Sequence, residues 1–129
     1  MLAVACLGLL AALAVPRQRD LTTETRRTEV IALAGSVHSA AHFGHALWRA
    51  NGGHAVLNVQ RGRIAVVNGY PAAAELARLL EEPETMAFTQ ANGEWHHRGL
   101  ETGRRCGVRY APPPRSGGQP TIEIRLEDC

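Results

Sequence analysis

The first 15 residues, Met1 to Val15, read MLAVACLGLLAALAV and carry no charge and no strongly polar side chain. Such a run has to be kept from water, by lipid, by copies of itself or by removal. As a helix it spans about 22 Å. That is short of the ~30 Å hydrocarbon core of a bilayer. Two readings fit. One is the apolar region of a signal peptide, with Ala12-Leu13-Ala14 as an A-x-A cleavage site, although no basic residue precedes the run. The other is a membrane helix that begins upstream of Met1. Arg17 and Arg19 come after the run. By the positive-inside rule they alone would put the rest of the chain in the cytoplasm, unless a basic leader precedes Met1.

Beyond Leu21 the pattern becomes helical. Val30, Leu33, Ala34, Val37, Ala41, Gly44 and Trp48 fall within an arc of about 100° and form an apolar stripe. Asn51-Gly52-Gly53 is a stop signal. The spacing therefore predicts one helix from near Met1 to about Ala50, kinked at Pro16. After Gly53 the texture is that of short strands. Ala55–Val59 and Ile64–Val67 flank Arg61-Gly62, and Asn68-Gly69-Tyr70-Pro71 is a tight turn. Ala72–Leu80 predicts a short helix ending near Pro83. Met86–Gln90 and Glu94–Arg98 predict a hairpin around Ala91-Asn92-Gly93. Cys106–Tyr110 and Thr121–Leu126 predict two more strands, joined by the Pro/Gly-rich loop Pro112–Pro120. The alternation over Thr121–Leu126 predicts one wet face.

The expected fold class is α+β. A long N-terminal helix packs on a small antiparallel sheet with a C-terminal disulfide loop. At 129 residues the chain is one domain's worth, divided into an apolar half-helix, residues 1–20, and a head, residues 21–129. Aromatic residues are only 5%, so the head's core is small and benefits from a covalent staple. Three cysteines are present. Cys6 lies in the apolar run and reads as an inert thiol. Pairing Cys106 with Cys129 would close a loop of about two dozen residues, contributing roughly 3 kcal/mol and implying an oxidising compartment.

These pieces resemble type IV pilins. Leu7 to Arg17, LGLLAALAVPR, is similar to the family's apolar helix ending in Ala-x-Pro. Asp20-Leu21 and the helical stretch after them resemble its amphipathic half, and the distal cysteine pair its disulfide-bounded region. Val67-Asn68-Gly69-Tyr70-Pro71, with the Cys106 strand and Cys129, is similar to pilins of the mannose-sensitive haemagglutinin type. The family's prepilin signature is a Gly, then Phe-Thr-Leu and a Glu, just before the apolar run. It would fall upstream of Met1, so the expectation is a chain that starts inside the mature helix.

The resemblance implies a subunit held in the inner membrane facing the periplasm and then assembled into an extracellular pilus. Its partners would be other pilin subunits, and a host or abiotic surface. Leu2, Val4, Leu7, Gly8, Leu9, Leu10, Leu13 and Pro16 would form the assembly helix. Burial of these apolar side chains would contribute about 25 cal/mol per Å². The small residues Ala3, Ala5, Gly8, Ala11, Ala12 and Ala14 would let neighbouring helices approach closely.

Other chemistry has little support. All 14 basic residues are Arg, which excludes a Schiff-base lysine and a phosphate-loop lysine. His38, His42 and His45 lie at i, i+4 and i+7 and are a weak metal candidate. No carboxylate accompanies them, and the plainer reading is a half-buried polar edge. His96 and His97 face opposite ways on a strand and cannot share a ligand, while the neighbouring Trp95 reads as a core anchor. Tyr110 with Pro112-Pro113-Pro114 reads either as an exposed adhesive loop or as a loop merely stiffened by proline. Glu81, Glu82 and Glu84 read as a solvated helix end. No nucleophile–base or phosphate-loop arrangement has credible context, so no enzyme activity and no cofactor are expected. A net charge of +2 disfavours DNA as the main partner, with Arg104, Arg105 and Arg109 its only local support. The competing functions are a type II secretion pseudopilin and a secreted ligand-binding domain behind a signal peptide.

Overall fold

The computed structural model describes the backbone of residues 2–129 and the side chains of residues 22–129. A single helix, α1, runs Leu2–Ala50. Its end is fixed by the expected glycines. Gly53 N–H donates to the Trp48 carbonyl at 2.8 Å and Gly52 N–H to that of Arg49 at 3.3 Å. Gly52 takes φ +79°, the left-handed conformation that closes a helix in this pattern.

Two antiparallel sheets come next. The first has the order β1-β2-β3, built from Val56–Val59, Gly62–Val67 and Tyr70–Pro71. The second is a meander, β4-β5-β6-β7, from Phe88–Ala91, Glu94–His97, Gly107–Ala111 and Thr121–Arg125. Both Asn-Gly dipeptides turn hairpins. Val67 pairs with Tyr70 and Ala91 with Glu94, leaving Asn68-Gly69 and Asn92-Gly93 as two-residue loops. All four loop residues have positive φ, which matches the twist of the flanking strands.

The stripe on α1 forms the floor of the core. Val30, Leu33, Ala34, Val37, Ala40 and Ala41 are buried against Tyr70, Leu76, Leu80, Phe88, Trp95, Val108 and Tyr110. Gly44 is buried too, and Trp48 is half-buried. The approach is closest at Gly44, where a Cβ would overlap Pro71 Cγ and lie 2.9 Å from Pro71 Cδ. Leu57 and Ile64 face each other across the first hairpin and are also buried.

The expected α+β arrangement is what the chain adopts, a long helix on antiparallel strands with the Cys106–Cys129 disulfide. Four details differ from expectation. The single small sheet is two sheets, although the first ladder continues one step past Pro71, where Ala72 N–H donates to the Ala65 carbonyl at 2.8 Å. Ala72–Leu80 is not a helix beyond a 3-10 turn at Leu76–Leu79. Side chains from this segment are instead recruited by β2: the Glu75 carboxylate accepts from Ala65 N–H, and the Arg78 guanidinium donates to the Arg63 carbonyl. These tertiary bonds override the local helix preference. Pro83 ends nothing, lying in the first turn of a short helix, α2, at Glu82–Thr85. There its missing N–H costs no bond. Along β7, Thr121 and Glu123 are exposed and Ile122 and Leu126 half-buried, but Ile124 is 46% exposed at the sheet's edge.

Candidate functional surfaces

The segment after β7 is clasped to both layers of the head. Cys129 is disulfide-bonded to Cys106 at the start of β6. Next to it, Arg105 N–H donates to Asp128 Oδ2 at 2.7 Å, and Arg105 Nε lies 3.2 Å from the same oxygen. These hydrogen bonds from Arg105, backbone first, hold the Asp128 carboxyl below its ordinary pKa. Across the layers, Arg26 of α1 donates from Nη1 to the Cys129 carbonyl at 3.0 Å. A second helix–sheet contact pairs Glu29 of α1 with His97 of β5 at 3.4 Å. His97 Nδ1 accepts from Gly99 N–H, which leaves the ring's proton on Nε2; that atom is buried and makes no hydrogen bond among the described residues. Neither contact is signalled in the sequence, since Arg26 and Glu29 look like ordinary solvated positions on an amphipathic helix.

The three helical histidines lie along one edge of α1, as expected, but they are not equivalent. His38 is exposed, and its ring centroid lies 4.4 Å from that of His42. His42 meets Tyr70 edge-on at 5.6 Å. His45 stacks on Tyr70 at 4.3 Å and on Trp48 at 5.5 Å. Its Nδ1 lies 2.6 Å from the Gly69 carbonyl, an acceptor, so Nδ1 carries the proton. His45 therefore works as a bolt between α1 and the Asn68-Gly69 turn. Burial, then the neighbouring His38 and His45, lower the pKa of His42. Among the described residues no group of three or more His, Cys, Asp or Glu is arranged to hold a metal ion.

Tyr110 is not part of an adhesive loop. It is buried, and its hydroxyl donates to the Pro71 carbonyl at 2.7 Å, joining the two sheets. Burial, with Tyr70 nearby, pushes its pKa well up. Pro113 is buried as well, and its carbonyl accepts from Asn68 Nδ2 at 2.7 Å. The Pro-rich loop is thus a strut that covers the β2–β3 turn. Trp95 is the core anchor expected, and His96 and His97 do face opposite sides, one exposed and one half-buried. Of the three arginines that would support DNA binding, Arg105 pairs with Asp128 and Arg109 with Glu94, at 3.1 Å. Glu81, Glu82 and Glu84 are exposed at the start of α2, with Glu81 and Glu84 forming a capping box.

The outward face of α1 is uncharged from Val30 to Trp48. Ile31 and Phe43 stand on it, 54% and 56% exposed. Ala32, Gly35, Ser39 and Phe43 line an open groove whose other wall is Leu79–Glu81 and Glu84. Leu2, Val4, Leu7, Gly8, Leu9, Leu10, Leu13, Pro16 and Cys6 all lie outside the residues whose side chains are described, and α1 runs without a break through Pro16. Among the described residues no helix is long and apolar enough to cross a membrane. Compared with protein-family models, curated proteins and solved structures, the chain finds no significant match.

Proposed function

We propose that this chain is a structural subunit of a type IV pilus-like filament, serving surface attachment or motility. The observation that carries the reading is the division of labour along one helix. α1 is 49 residues long, about 74 Å at 1.5 Å per residue. Its second half supplies the floor of a disulfide-closed head through Val30, Leu33, Val37 and Ala41. Its first 15 residues are apolar by sequence and demand another partner. Lipid before assembly and the same segment of neighbouring subunits afterwards satisfy that demand. The disulfide supports an oxidising destination such as the periplasm and cell exterior.

The test is fractionation of cells that express the native gene. Sheared surface filaments are collected, probed for this chain and imaged by negative-stain electron microscopy. The chain is expected in the sheared fraction, on filaments that vanish when its gene is deleted, with Cys106 and Cys129 resistant to alkylation until reduced. Recovery only in the cytosol with both thiols free refutes the proposal. A mature protein starting at Val15 in the periplasm refutes it in favour of a secreted binding domain.

A further inference from the structure

We propose that His38 and His42 form a two-imidazole chelate for a single divalent transition-metal ion of square or tetragonal preference, Cu²⁺ above all. The reading is independent of the filament. The two residues are one helical turn apart on α1, so their rings project from the same edge. Their centroids lie 4.4 Å apart, with the ring planes inclined by 55°. Metal–nitrogen bonds of about 2.0 Å put each ring centroid roughly 3.2 Å from a bound ion. With one nitrogen of each ring turned to a common ion, a separation of 4.4 Å corresponds to a nitrogen–metal–nitrogen angle of about 90°. That is the cis angle of a square or octahedral ion. A tetrahedral angle would need the centroids roughly 0.8 Å further apart.

The surroundings suit the chelate. Among the described residues neither ring has a hydrogen-bond or carboxylate partner, unlike His96, which sits 3.5 Å from Glu94, and His97, beside Glu29. His42 is held edge-on by Tyr70, which limits the rotamers that binding would have to freeze. His38 is exposed, leaving the remaining coordination positions to water. His45 takes no part, because its Nδ1 is committed to Gly69 and its ring is stacked between Tyr70 and Trp48.

The test uses the full-length chain without an affinity tag, in mild detergent at pH 7.5. Cu²⁺ is titrated and followed by electron paramagnetic resonance, with Zn²⁺ as competitor. The expected result is one Cu²⁺ per chain with two imidazole nitrogens, and Zn²⁺ at least tenfold weaker, as the divalent affinity order requires. His38→Ala, an exposed substitution that leaves the core intact, should weaken Cu²⁺ at least tenfold, and His42→Gln should do the same. His54→Ala, at an exposed histidine after α1, should leave binding unchanged. Wild-type affinity in His38→Ala overturns the proposal, as does the absence of nitrogen-coordinated Cu²⁺ in the wild type. Zn²⁺ binding as tightly as Cu²⁺ overturns the right-angle geometry on which it stands.

Discussion

Replacing Gly44 by alanine tests how closely α1 is seated on the sheets. The added Cβ would overlap Pro71 Cγ, and would sit 2.9 Å from Pro71 Cδ and 3.3 Å from Leu79 Cδ1. A leucine end can swing aside. A proline ring cannot, and Pro71 is held from several sides. It pairs with Val66 in the first sheet, and its carbonyl accepts from the buried Tyr110 hydroxyl. The helix itself must therefore lift. Overpacking of a filled core costs about 1–3 kcal/mol, and a rigid obstacle belongs at the upper end. Alanine returns roughly 1 kcal/mol through its better helix propensity. The net is a loss of about 2 kcal/mol.

Gly35 supplies the control. It lies in the same helix, is exposed, and an added Cβ there meets nothing within 4 Å. Gly35→Ala should stabilise the protein by about 0.5–1 kcal/mol, since only the propensity gain remains. Thermal unfolding of the head, followed by near-ultraviolet circular dichroism on the full chain in detergent, reads both. At about 4–8 °C per kcal/mol for a domain near this size, Gly44→Ala should fall by roughly 8–16 °C while Gly35→Ala rises by a few degrees. Equal signs for the two substitutions would refute the claim that Pro71 closes directly on the helix backbone.

Two other perturbations have defined outcomes. Cys106→Ser with Cys129→Ser removes a bridge spanning 23 positions, so denaturant unfolding should show a loss of about 3 kcal/mol, and a change below about 1 kcal/mol would mean that the Arg26 and Asp128 bonds hold the segment without the bridge. His42 has a folded pKa below its ordinary 6.5, so the unfolded chain binds more protons between those two values and stability is lost as pH falls through that window. The drop in melting temperature from pH 7.5 to 5 should be smaller in His42→Gln than in the wild type, and an equal drop in both counts against the assignment.

The legible parts of the fold were those set by local rules. A run of apolar positions from Val30 to Trp48 at helical spacing has one good solution, and the Asn51-Gly52-Gly53 stop ends it. Asn68-Gly69 and Asn92-Gly93 impose positive φ and so fix two hairpins before any tertiary contact forms. The parts that were not legible depend on partners distant in sequence. Ala72–Leu80 has a helix former's composition, but Glu75 and Arg78 are taken by β2. Tyr110 beside three prolines looks like loop, yet strand β6 points it into the core, where Pro71 supplies an acceptor 39 residues away. The same holds for the surfaces. The histidine row was visible as spacing alone. Which of the three was already engaged depended on the Gly69 carbonyl, and that is set by the hairpin rather than by the helix.

The head's contacts are distributed so that α1 is fastened along its whole amphipathic half. Near the helix end, His45 bolts it to the Asn68-Gly69 turn. In the middle, Gly44 lets Pro71 close on the backbone, and Val37 and Leu33 fill the core. Toward the apolar half, Glu29 reaches His97 and Arg26 reaches Cys129. That last tie would be weak alone, because a single partly exposed hydrogen bond contributes about 1 kcal/mol. It gains a fixed partner because the disulfide and the Asp128–Arg105 bonds already hold Cys129 against β6. The cystine therefore does more than close a loop. It presents to the helix, at Arg26, an acceptor already fixed against β6.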